Sequence, residues 1–334
     1  MTANPDARPR GDPGTGPEVA VGAGRAAARA PFGALARASA PASSRRRLGD
    51  GWAALLFLAP FLAINAVLLV YPLFYGIWIS LHDWELVGGF RQWAGTLNYQ
   101  DLWHDPLFWR SARNTLWFVA LTVPSMTLVA LLLALAVQGP GRVRAALRSV
   151  FFLSSVFSVT VVTLVWQMVL SPDRGLVAPV LQALGLEPVN FLGDPFWAMP
   201  SIVVTTLWWG VGLPMALFLA ALGQIPRELY EAAELDHASR LAVLRRITLP
   251  AIRHTLILVL VLQIVAQFQI FGQPQLMTQG GPANATRSLV QYIYDTAFRD
   301  WLVGYAAAAA MALFAMMLAF SMLQLWLGRR GDEA

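Results

Sequence analysis

The sequence has 334 residues, of which 57% are hydrophobic and only 13% charged, with a formal net charge of +5. A soluble domain carries about 25% charged residues, so this chain has too little polar surface to coat a globule and much of it must face lipid. It holds no cysteine and no lysine, all 24 basic residues being arginine. That excludes disulfides, thiolate metal sites, Schiff-base chemistry and the lysine-bearing phosphate loop G-x-x-x-x-G-K-[ST].

Residues 1–47 read as a disordered cytoplasmic tail. Ala, Arg, Gly and Pro fill 33 of those 47 positions, which leaves too little apolar area to offset ordering entropy. No apolar stretch lies within the first 30 residues, so the tail does not read as a signal peptide. From residue 48 to 328 the chain reads as an all-α polytopic membrane domain, followed by a short cytoplasmic tail at 329–334. Six apolar runs cover 52–81, 115–137, 149–170, 197–222, 255–277 and 303–327, and none holds Asp, Glu, Arg or His. Each is near or above the ~20 residues a helix needs to cross a bilayer. Pro60, Asn65 and Pro72 predict a kink in the first run, or an end lying along the interface. Trp208, Trp209, Gly210, Gly212 and Pro214 interrupt the fourth.

Arginine placement sets the orientation. With the tail inside, cytoplasmic segments hold 18 arginines and external segments six. Both termini are therefore expected in the cytoplasm of a multi-pass cell-membrane protein. The high pI, about 10, reflects this topology; because the arginines sit between apolar runs, no nucleic-acid partner is expected.

One cytoplasmic segment, 223–254, is too long for a plain connection of two to eight residues. Pro226 is placed to open a helix. Glu231 follows Arg227 by four, at ion-pair spacing. Ile225, Leu229, Ala232 and Ala233 share a helical face that the alanines keep thin. Ser239 or Asp236 can cap a second short helix, which Pro250 is expected to end. A solvated surface hairpin would satisfy these features, and so would a pair of helices that docks into another protein's groove.

The residue pattern separates these two readings. Glu231-Ala232-Ala233, three residues, position 237, nine residues and Ile247-Thr248-Leu249-Pro250 resemble the E-A-A…G…I-x-L-P signature of ABC importer permeases. Asn98-Tyr99, Asn114-Thr115 and the run Met277-Thr278-Gln279-Gly280-Gly281-Pro282 with Asn284 and Thr286 resemble the first, maltose- and glycerol-phosphate-type subunit of carbohydrate permeases. The resemblance implies that Glu231, Ala232, Ala233, Asp236, His237, Ile247, Leu249 and Pro250 couple the chain to an ATP-binding subunit. It further implies a second permease, two ATP-binding subunits and an external solute-binding protein as partners, with no cofactor or catalytic residue in this chain. His237 stands where the signature has glycine, a position that calls for a left-handed turn.

Other functions fit less well. Proton-coupled transport needs Asp, Glu or His inside the membrane, and an intramembrane hydrolase needs a nucleophile–base pair or a metal triad; the apolar runs hold neither. Sodium coupling through backbone carbonyls and an ABC permease for a non-carbohydrate solute stay open. Gln263 and Gln267, four apart on one helical face, act either as helix–helix hydrogen-bond partners or as the lining of a sugar path opposite the broken fourth run. In the second case Gly210 and Gly212 admit backbone and Trp209 offers a ring face. Reporter fusions test the topology. Those after Gly139 and Gln224 should read cytoplasmic, and those after Arg91, Gly185 and Asn284 external. An external signal at Gln224 would remove the coupling assignment.

Overall fold

The computed structural model describes residues 48–330 apart from Phe90; the tail expected at 1–47 and residues 331–334 lie outside the described residues. The chain divides into two units, Met1–Leu62 and Ala63–Ala334. The described part of the first unit is the opening of α1 (Leu48–Asn65), which passes through a π turn at Ala66–Val70 into α2 (Tyr71–Ser80). Leu55–Ser80 is one apolar helix of 26 residues, and the wider turn, closed by Tyr71 N–H on the Ala66 carbonyl, carries the chain past the hydrogen bond that Pro72 cannot donate.

A short antiparallel hairpin follows, β1 (His82–Trp84) with β2 (Arg91–Trp93), then α3 (Leu97–His104). The Arg91 guanidinium lies 3.8 Å from the Trp78 ring centroid and 4.8 Å from that of Trp84. Asn98 Nδ2 donates to the Ser80 and His82 carbonyls, at 2.8 and 2.9 Å, and Tyr99 Oη meets Ser80 Oγ at 2.6 Å. The Asn-Tyr pair thus fastens α3 to the end of α2.

The centre of the domain is α4 (Pro106–Val137), half of whose apolar window is buried. Its fully buried Ala130 and Ala134, four apart, let neighbouring helices come close. Met126, Met215, Phe218, Ile252 and Val259 fill the core around them. Three breaks shape the rest. α5 (Arg142–Ser154) meets α6 (Val159–Val169) at 101°; after α7 (Val177–Ala183), α8 (Pro195–Gly210) meets α9 (Gly212–Leu222) at 49°. Then come α10 (Arg227–Leu235), α11 (Arg240–Val243), α12 (Leu249–Ala251) and α13 (Arg253–Phe268); the stretch Arg240–Ala251 meets α13 at 70°. After α14 (Leu289–Phe298), α15 (Val303–Arg330) closes the described chain.

Two apolar runs therefore differ from the sequence expectation. The third is not a single helix but turns sharply at Ser155–Ser158, where Ser158 caps α6 through Val161 N–H. The fifth leaves the α-helix at Phe268, so Gln269 and Gln273 lie beyond its end, ahead of a π turn at Pro274–Thr278. By length and composition the described residues hold three helices able to cross a membrane, or up to six if each bent pair is one span.

Free backbone groups in hydrocarbon cost several kcal/mol each, and the breaks in the third and fourth runs satisfy one another. Trp209 Nε1 donates to the Phe157 carbonyl at 2.9 Å, and the Trp209 carbonyl accepts from Ser155 Oγ at 3.1 Å. Gly212 makes this approach possible. A Cβ there would lie 2.7 Å from Ser155 Oγ and 2.8 Å from the Phe151 carbonyl.

The far end of α4 is held by a polar network. Asp105 caps the helix through Leu107 N–H, at 2.7 Å, and its other oxygen accepts from Tyr292 Oη at 2.6 Å and Tyr305 Oη at 3.2 Å. Nearby, Arg287 pairs with Asp295. Burial works to raise the Asp105 pKa, but the Tyr292 hydroxyl and the backbone donors outweigh it and hold the carboxyl below its usual range. Burial, and then the Asp105 carboxylate, push the Tyr292 hydroxyl far up. Asp105→Ala removes a cap and two charge-assisted hydrogen bonds, and should cost roughly 2–3 kcal/mol, read as a lower melting temperature of the full chain in detergent. Because the folded pKa is depressed, this contribution is complete above the unfolded value of about 3.9 and is lost only as pH falls through the folded one. An unchanged melting temperature at neutral pH would show that the network is not stabilising.

Candidate functional site

The segment 223–254 forms two short helical arms. Pro226, with ψ at 135°, stands just outside α10 at its N-cap. The helix stops at Asp236 and turns left-handed at His237, whose φ is 51°. His237 N–H bonds the Glu234 carbonyl at 3.0 Å and Ala238 N–H the Ala233 carbonyl at 2.9 Å. This is the paired-bond stop that glycine ordinarily provides. Histidine takes the same turn at a cost of roughly 1–2 kcal/mol. Ser239 Oγ then accepts from Ala242 N–H at 3.3 Å and starts the second arm.

Pro250 does not end that arm. A π turn at Leu244–Thr248, closed by Leu249 N–H on the Leu244 carbonyl, again precedes the proline and carries the helix through it. The break falls two residues later, at Ile252, with φ −97° and ψ 7°.

The arms present two unlike faces. Glu231, Ala232, Asp236 and His237 are exposed, as are Leu229, Leu235 and Leu241, with Leu235 83% open. Ala233 is buried at 7% exposure, so it belongs to the inner face and not to the outer face shared with Ala232. Arg227 and Glu231, placed for an ion pair, form none among the described residues. Tyr230, Ile247 and Leu249 pack against the core of α4, α9 and α13, and Tyr230 Oη meets Thr248 Oγ1 at 3.3 Å. Pro250 is exposed. Of these three side chains only Tyr230 belongs to α10; Ile247 and Leu249 belong to the second arm.

A cavity of about 380 Å³ opens beside the broken helices, between Trp209, Gly210 and Thr206 of α8 and the stretch from Ala266 to Gln273. Gln267 lines it and donates to Gln263 Oε1 at 2.9 Å; Gln263 is buried behind and does not reach the cavity. Gly210 lines it, and a Cβ there would sit 3.0 Å from Met126 Cε. Gly212 points the other way, at α5. The residues that sequence reasoning passed over are Thr206 of α8 and Gln269, Phe271 and Gln273, the last three brought in when the chain leaves the helix at Phe268. The visible signal was the amide spacing in Gln267-Phe268-Gln269-Ile270-Phe271-Gly272-Gln273. No ionisable side chain lines this space.

Above the cavity the loop Gln279–Arg287 is held from two sides. Asn114 Nδ2 donates to the Asn284 and Arg287 carbonyls, at 2.8 and 3.1 Å, and Thr115 Oγ1 accepts from Leu289 N–H at 2.8 Å. Thr278 and Thr286 join hydroxyls at 2.7 Å, and Gln167 Nε2 donates to the Leu276 carbonyl at 2.8 Å. The Asn-Thr pair is a clamp on that loop.

Broken membrane helices around an uncharged cavity, with a helical arm pair at one end of the bundle, define a transport component. The chain belongs to the family of binding-protein-dependent transport system inner membrane components, which it matches over residues 115–332. The lactose transport system permease protein LacF of Rhizobium radiobacter is 33% identical over 295 residues, covering 86% of this chain and 97% of its own. The diacetylchitobiose uptake system permease protein NgcF of Streptomyces coelicolor is 33% identical over 286 residues, covering 80% of each. Among solved structures, a chain of a bacterial ABC transporter that imports the acidic polysaccharide alginate superposes with a TM-score of 0.71 at 25% identity, over 84% of this chain and 96% of that one.

The left-handed turn yields a direct test. His237→Gly relieves the Cβ strain and should raise stability by about 1 kcal/mol, read from thermal melting of the full chain, with transport retained. Lost transport at unchanged stability would give the imidazole a role beyond the turn.

Proposed function

We propose that this chain is a permease subunit of an ATP-driven importer for a sugar or sugar derivative. The observation that carries this reading is the family match over most of the membrane domain, joined to relatives whose names specify lactose and diacetylchitobiose uptake. A trehalose/maltose transport system permease of Thermococcus litoralis, 29% identical over 274 residues, points the same way. Six spans cross the membrane, with both termini inside. The chain itself hydrolyses no ATP. Two ATP-binding subunits do so, a second permease completes the path, and a solute-binding protein delivers the sugar from outside.

In this reading the outer face of α10, with Glu231, Ala232 and the exposed Leu235, seats in a groove of an ATP-binding subunit. Closure of the ATPase pair pushes α10; Tyr230, Ile247 and Leu249 pass the push to the core, and the spans alternate their opening. The sugar meets the cavity of Trp209, Gln267 and Gln269. Amides there offer donors and acceptors to hydroxyl groups, and the aromatic rings suit the apolar face of a pyranose. The indole N–H of Trp209 is already committed to Phe157, so only its ring face is free for this purpose.

Two sets of variants in the assembled transporter separate docking from passage. Glu231→Lys should abolish transport and weaken ATPase association while leaving insertion intact. Gln267→Leu and Gln269→Leu should lower sugar transport about tenfold or more, as expected when a site built on hydrogen bonds loses one, with assembly and basal ATPase activity unchanged. Normal transport in both glutamine variants would place the sugar path elsewhere, and full coupling by Glu231→Lys would refute the docking face.

A further inference from the structure

A second cavity, of about 620 Å³, lies where α4 and α9 end, apart from the cavity assigned above to the sugar. One wall is apolar, built from Leu219, Leu222 and Ile225; the other is polar, built from Arg148 of α5, Arg227 and Tyr230 of α10 and the turn Gln138–Pro140. No acidic residue lines it.

Among the described residues the two arginines that line it, Arg148 and Arg227, have no counterion. Arg148 Nε and Nη2 reach only the Arg144 and Gly139 carbonyls, at 3.3 and 3.5 Å, and Arg144 Nη1 reaches the Pro140 carbonyl at 3.3 Å. Among the described residues none of Arg142, Arg144, Arg148 or Arg227 forms an ion pair, and residues 138–148 contain no Asp or Glu. A guanidinium group paired with no carboxylate retains most of its attraction for an anion.

The setting specifies the kind of anion. α4 runs through a long apolar stretch to Val137 and α9 through another to Leu222, so in the topology proposed above the cavity lies where lipid headgroups begin. Beside it, α5 leaves Val143, Leu147 and Val150 exposed at 73%, 41% and 62%. These positions share one helical face, adjacent to Arg144 and Arg148. An uncovered apolar stripe flanked by arginines is the pattern of a helix that lies in a membrane interface.

We propose that this cavity binds the phosphate of an anionic phospholipid, held by Arg148 and Arg227, with its acyl chains along the exposed face of α5. Arg227 opens α10, the arm assigned above to the ATPase, so the lipid bridges the membrane edge and the coupling arm. An acidic surface of the ATP-binding subunit is the competing occupant for Arg227. It does not account for the apolar wall, or for the exposed stripe on α5. The leaflet assignment rests on the topology proposed above. Binding in detergent does not, so either can fail while the other stands.

The test is native mass spectrometry of the full chain in an uncharged detergent with equal phosphatidylglycerol and phosphatidylethanolamine. Phosphatidylglycerol should be retained in preference. Arg148→Gln and Arg227→Gln should each lower its retention about fivefold, and the double variant roughly 25-fold, the equivalent of ~1 kcal/mol per basic residue near an anionic surface. Arg245→Gln, an exposed arginine outside the cavity, should leave retention unchanged, and matched melting temperatures confine the effect to binding. Equal retention of the two lipids, or retention unaffected in the double variant, overturns the proposal. Displacement of the lipid by millimolar inorganic phosphate would reassign the site to a free anion. Displacement by the ATP-binding subunit would reassign the arginines to a protein contact.

Discussion

The hydrogen bonds that join two broken helices are the constraint on which the rest of this structure depends. In hydrocarbon an interrupted helix exposes carbonyls that water cannot reach. Here the break before α6 and the break after α8 face each other, and Trp209 serves both through its indole N–H and its own carbonyl. The contact requires a residue without a side chain at Gly212, because serine and backbone oxygens occupy the space a Cβ would need. Beside the two breaks the polypeptide leaves the helix at Phe268, and Thr206, Gln267 and Gln273 line a cavity there.

The two ends of the bundle are tied to this centre by different means. At one end, motif residues act as fasteners. Asn98 holds the turn after α2, Asn114 and Thr115 hold the loop that contains Gly280-Gly281-Pro282, and Asp105 gathers Tyr292 and Tyr305 over the start of α4. At the other end the tie is apolar, through Tyr230, Ile247 and Leu249. Polar clamps fix geometry, whereas close-packed apolar contacts let one element shift with another. A rigid cap and an apolar-seated arm fit the alternating opening proposed above.

Much of this was legible in the sequence, and the exceptions have physical causes. Composition and the uncharged runs indicated a helical membrane bundle, and the Trp-Trp-Gly-x-Gly stretch located the break after α8. Ser239, one of two cap candidates with Asp236, followed from local chemistry, and the left-handed turn at position 237 from the glycine of the signature that the segment resembles. One proline was misjudged. Pro250 was read as a stop, but a π turn ahead of it carries the helix on to Ala251, and no residue type marks such a turn. Ala233 was placed on the outer face because spacing gives a face but not the direction it points. The lining residues beyond Phe268 were hidden because a continuous apolar run does not show where its helix ends.

The absence of Asp, Glu, Arg, Lys and His from all six apolar runs bears on energetics as well as insertion. Moving one elementary charge through a potential of 100 mV changes its energy by about 2.3 kcal/mol, and this is how voltage sensors derive their steepness. Apolar runs without ionisable side chains carry no such charge when they tilt or slide. In the alternating opening proposed above, the six runs of this subunit therefore contribute no side-chain charge to movement across the membrane potential.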